Sequence, residues 1–228
     1  MNEDIKTNKT ITPTIIKEDF VFSKYHGEII PDVIQCLRDY LYEHRHMDLK
    51  IWTGCDSIKT MGGNAIYVIA VCVYRQGKGA HIIHTKLKQP ISSIYDKLWK
   101  ETELSIMFTK FLIEKQFLTI KTGDTHQTAN AGGNIVPYMI DLDYNSKPDA
   151  VSSYLLSAGK GYCEQFQVMS REKPMAWAAS YFADHIARGK NLNNGNAKNK
   201  PKYTSKKKFK KMKYKENTMT LVKGGKAV

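Results

Sequence analysis

Three apolar runs in close succession limit this chain more than any other feature. Leu49 to Cys55, Asn64 to Tyr74 and Ala80 to Leu87 are separated by short polar segments, the second of which is Gly77-Lys78-Gly79. Links this short join antiparallel neighbours, so the spacing predicts a three-stranded antiparallel sheet. Ala65 to Tyr74 is apolar throughout, as a strand buried on both faces would be. At ten residues it is too short to span a bilayer.

Helical periodicity surrounds this sheet. Pro31 opens a helix to about His46 with Val33, Ile34, Leu37 and Leu41 on one stripe. A second helix is expected from Ser92 to about Lys115, followed by a polar surface loop from Thr122 to Asn134 and a buried strand from Ile135 to Asp143. A helix from Pro148 to Tyr162, a short strand from Phe166 to Met169 and a last helix from Pro174 to Arg188 complete the pattern. Hairpin strands followed by alternating helix and strand imply an α/β fold with a mixed sheet flanked by helices. We expect one domain over residues 19–188, a flexible stretch at 1–18 and a Lys-rich, disordered tail at 189–228.

The net charge of +13 belongs to that tail. Residues 189–228 carry thirteen lysines against the single acid Glu216, leaving +1 for the rest of the chain. Such a segment attracts a polyanion through counterion release without reading sequence, so nucleic acid is the expected partner and Lys206, Lys207, Lys208, Lys210, Lys211 and Lys213 the expected contacts. Cys36, Cys55, Cys72 and Cys163 form no C-x-x-C pair, and the N-terminus has no signal-type apolar block. A cytoplasmic protein without a membrane span fits these features.

Acids in unusual positions carry the chemistry. Asp56 follows the first strand in Thr53-Gly54-Cys55-Asp56-Ser57. Glu101 interrupts the stripe Ile94, Leu98, Glu101, Ser105, Phe108, Leu112, so a carboxylate points at the sheet, whereas Glu103 is turned toward water. Asp141 and Asp143 share one face of an otherwise apolar strand. Asp184 lies at the core boundary of the last helix, where an ion pair with Arg188 is the competing role. Carboxylates recruit hard cations, and two Mg²⁺ or Mn²⁺ ions can clamp the attacking and leaving oxygens of a phosphodiester. Neither His44 and His46 nor His81 and His84 has a convincing zinc-site spacing, and no Gly-Lys-Gly segment forms a triphosphate loop.

The segments Trp52-Thr53-Gly54-Cys55-Asp56-Ser57, Gly77-Lys78-Gly79, Leu98-Trp99-Lys100-Glu101-Thr102, Ile140-Asp141 and Lys173-Pro174-Met175-Ala176-Trp177-Ala178-Ala179-Ser180 are similar to the YkuK-like group of predicted ribonuclease H-like proteins. The similarity covers roughly residues 20 to 188 and leaves out the tail. It implies a ribonuclease H-like fold and a metal-dependent nuclease whose acids are Asp56, Glu101, Asp141 and Asp184, acting on RNA, an RNA–DNA hybrid or structured DNA. The alternative is a catalytically silent nucleic-acid-binding or structural protein that keeps the fold and works through its tail.

Overall fold

The computed structural model describes residues 20–120 and 127–189. The N-terminal stretch at 1–18, the segment beyond Gly189 and the six tail lysines lie outside the described residues. From edge to edge the sheet runs through the strands at 29–30, 22–24, 79–90, 64–75, 49–60, 134–145, 127–131 and 118–120, with the strand at 169–173 also paired to 134–145. Its centre is the expected antiparallel trio: β3 (Leu49–Thr60), β4 (Asn64–Arg75) and β5 (Gly79–Pro90). Two short strands absent from the sequence reading, β1 (Phe22–Lys24) and β2 (Ile29–Ile30), extend the β5 edge. The first long strand runs past Cys55 to Thr60 because β4 pairs with it along its whole length. Asp56 therefore sits inside a strand, not after one.

Three helices cover one face. Helix α1 (Val33–Glu43) is capped by Asp32, whose carboxylate accepts from the Gln35 N–H at 2.9 Å. Helix α2 (Ile94–Glu114) is capped by Ser93, and Asp96 reaches back to the Ser92 N–H. Helix α3 spans Ser153–Gln165. It starts later than expected because Ser152 and Ser153 first tie a turn, bonding the Asn145 N–H and the Ala150 carbonyl. Helices α2 and α3 end alike. Gln116 and Gln167 adopt positive φ, and the next residue's N–H closes back on Leu112 and Cys163 in a Schellman turn. That stop on α3 moves the following strand, β9, to Met169–Lys173 from the expected Phe166 to Met169.

Part of the expected Thr122 to Asn134 loop is a strand. β6 (Leu118–Ile120), β7 (Gln127–Ala131) and β8 (Asn134–Asn145) form a meander turned at Gly132-Gly133. The opposite sheet face carries a π-helical turn, Ala178–Ala183, running into α4 (Asp184–Ala187), where one regular helix was expected. Two local ties account for the departure. The Ala178 N–H is taken by Asp141 at 2.6 Å, and Ala179 lies so close to Gly54 that a Cβ there would stand 2.5 Å from the Ala179 nitrogen. The main core lies between the sheet and α1, α2 and α3, while smaller cores around Val68 and Trp52 lie under the last helix.

Candidate metal centre

Strand pairing creates the site. β3 and β8 run parallel from Ile51–Tyr138 to Gly54–Asp141, and there their ladder stops although both strands continue. β8 goes on with β9, and β3 goes on with β4. Two residues past the last pair come Asp56 on one strand and Asp143 on the other. The parting strands leave a cleft beyond a parallel ladder, where open α/β sheets place their ligands.

Glu101 enters this cleft from the α2 side. Tyrosines of β8 hold the helix in register: Tyr138 hydroxyl meets Thr109 at 2.7 Å, and Tyr144 hydroxyl meets Thr102 at 2.7 Å and donates to the Leu98 carbonyl at 3.1 Å. Glu101 thus projects from a helical turn fixed on both sides. Its Oε1 accepts from the Ser57 hydroxyl at 2.6 Å and from Lys97 Nζ at 2.7 Å. Among the described residues its buried Oε2 has no hydrogen-bond partner. Glu103 faces outward, as expected, bonded to Trp99 and Lys100.

One ligand oxygen from each of Asp56, Glu101 and Asp143 lies within 4.8 Å of the others. Asp56 accepts from the Ser57 N–H at 2.7 Å, and Asp143 is bridged by Lys173 Nζ at 2.8 Å. Burial pushes the Asp56 carboxyl up to about 6, with repulsion from Asp143 adding to the shift. Burial likewise pushes Glu101 up to about 8, against the opposing pull of Lys97. The carboxyls resist ionisation because they are withdrawn from water and Asp56 faces a second acid. Carboxylate-only donors, an orphaned buried oxygen and raised carboxyl pKa values together fit a hard divalent cation.

Asp141 stands apart from this trio. Both of its oxygens are engaged by Arg171, which is its register partner on β9, and Oδ2 also accepts the Ala178 N–H. Similarity to known sequences implies Asp141 as a ligand; the structure brings Asp143 to Asp56 and Glu101 and holds the buried Asp141 in an ion pair with the half-buried Arg171. Asp184 pairs with Arg188 one turn on, and it lies near enough to Asp56 to help raise that carboxyl's pKa. It stands outside the three-acid cluster, at its rim. Lys97 pairs with Glu101 as a lysine one helical turn away can, whereas the pairing of Lys173 with Asp143 is not readable from the sequence, because the two meet only through β8–β9 pairing.

The family comparison agrees with this architecture. The family described as ribonuclease H-like matches residues 32–188. The chain belongs to the ribonuclease H-like family, and its mixed sheet flanked by helices is an α/β fold of that kind. No curated protein and no solved structure matches the chain. Among the described residues no helix is long and apolar enough to cross a membrane.

Proposed function

We propose that the chain is a divalent-metal-dependent nuclease of the YkuK-like kind, hydrolysing phosphodiester bonds of RNA, an RNA–DNA hybrid or structured DNA. The convergence of Asp56, Glu101 and Asp143 carries this reading, with Glu101 Oε2 buried and unpartnered among the described residues. These three carboxylates would hold Mg²⁺ or Mn²⁺. Such an ion, when bound, acidifies a water and offsets charge developing on phosphodiester oxygens.

The chain's own groups prepare that chemistry. Ser57 fixes Glu101 Oε1 and leaves Oε2 free to ligate. Lys97 and Lys173 balance the acids in the absence of a cation, and each carries an ammonium able to turn to a phosphate oxygen. Asp184, at the rim beside Asp56, is our candidate to complete a second ion's shell if it parts from Arg188. The Lys-rich segment beyond Gly189 would add affinity of a sequence-independent kind.

A second reading draws on those same lysines. Because Lys97 and Lys173 already bond to Glu101 and Asp143, the centre could be a charge-balanced relic in a nucleic-acid-binding protein. The deciding experiment incubates wild type and Asp56→Asn/Asp143→Asn with labelled hybrid, single-stranded RNA and branched DNA in Mn²⁺, Mg²⁺ or EDTA. Metal-dependent cutting lost in the double variant supports the nuclease. Intact substrates that still shift on a gel support the silent protein.

A further inference from the structure

The sheet face that carries Asp56 is only partly covered by the last helix. Reading across β3, β4 and β5 by register, Asp56 lines up with Val68 and Lys86, and the next row is Ile58, Ile66 and Lys88. Alternation places all six side chains on one face. Ala183, Ile186 and Ala187 cover the sheet near Val68, Ala70 and Ile82. Beyond that row the cover thins: Ile66 is half-buried and joins none of the cores, while Lys86 and Lys88 are exposed. Neither lysine has an acidic partner among the described residues. Lys86 stands two strand spacings from Asp56, about 10 Å across the sheet.

We infer that this strip, Lys86 and Lys88 beside Ile58 and Ile66, is the track on which a nucleic-acid strand lies as it enters the acid cluster. The inference rests on the nuclease reading for the direction of the strand, but not for its binding. Charge selects the occupant. Two unpaired ammonium groups suit a phosphodiester backbone, whereas the cluster beside them repels phosphates unless a cation intervenes. The chain's own segment beyond Gly189 is an unsuitable occupant, because its thirteen lysines would face Lys86 and Lys88 with like charge. Half-buried Ile58 and Ile66 offer apolar surface for sugars and base edges between the acid row and Lys88.

The test uses the full chain in EDTA, with fluorescein-labelled oligouridylate and oligothymidylate read by anisotropy across a salt series. Lys86→Glu/Lys88→Glu is compared with wild type and with Lys78→Glu, which alters the turn at the far end of β4 and β5. Circular dichroism checks that each variant is folded. Losing two phosphate contacts should flatten the slope of log K against log salt by about 1.4, at about 0.7 per contact on a single strand. Lys78→Glu should leave it unchanged. An unchanged slope in the double variant, or an equal loss in Lys78→Glu, would overturn the track. If the slope flattens but no substrate is cut, the track stands without the nuclease; if Asp143→Asn abolishes cutting while the slope is unmoved, the nuclease stands without the track.

Discussion

Asp141 and Asp143 lie two residues apart on one face of β8, yet Arg171 and the Ala178 N–H saturate the first while the second joins Asp56 and Glu101. Their roles are therefore separable. Asp141→Asn should leave the half-buried Arg171 guanidinium without its carboxylate and weaken the anchor of the last helix, costing about 3 kcal/mol of stability by urea denaturation. Asp143→Asn should change stability little and abolish metal-dependent cutting. Similar stability losses in the two variants would refute this division.

Cation binding should appear as added stability. With Mn²⁺ at about a hundred times its dissociation constant, linkage predicts about 2.7 kcal/mol of stabilisation. Glu101→Gln and Asp143→Asn should each remove most of that increment, whereas Glu103→Gln, outward on the same helix, should keep it. Calorimetric unfolding with and without Mn²⁺ measures the difference.

The pH dependence has a defined sign. Asp56 and Glu101 have ordinary values of 3.8 and 4.5 but sit at about 6 and about 8 in the fold. The folded state thus holds more protons than the unfolded chain across this window, and stability falls as pH rises from about 4 to about 8. A cation competes with those protons, so its affinity should climb over the same range. Urea midpoints at pH 5 and 8 should differ most for wild type and less in Glu101→Gln, where Asp56 alone keeps part of the dependence; a wild-type midpoint that rises with pH contradicts the assignment.

Gly54 allows the last helix to touch the sheet. An alanine Cβ there would stand 2.5 Å from the Ala179 nitrogen and 2.8 Å from its Cα, and backbone cannot yield as a side-chain tip can. Gly54→Ala should cost about 1–3 kcal/mol or more and displace the segment that carries Asp184. Tyr144→Phe is the milder probe: it removes a clamp on the Glu101 turn, so turnover should fall further than stability. Denaturation and cleavage assays run on both variants separate the two effects.

Much of this architecture was readable from local pattern. The hairpin spacing specified β3, β4 and β5, and the stripe around Glu101 placed a carboxylate against the sheet while turning Glu103 to water. Asp56 was legible as a candidate although the end of its strand was not, because the strand's length depends on a partner running beside it. The strand β7 inside a polar stretch and the short strands β1 and β2 have weak local signals and exist through pairing with their neighbours.

The sequence by itself determined the three long hairpin strands, the helices and strand that follow them, the mixed sheet and the acids able to gather in it, because apolar period and turn chemistry act over a few residues. Only the tertiary structure decided which acids gather. Asp141 and Asp143 are equivalent by periodicity, and the choice between them came from a β9 register that sets Arg171 against one and from a β3–β8 ladder that parts just before the other. Charge neutralisation and strand separation both arise between segments remote in the chain, where a local pattern carries no information.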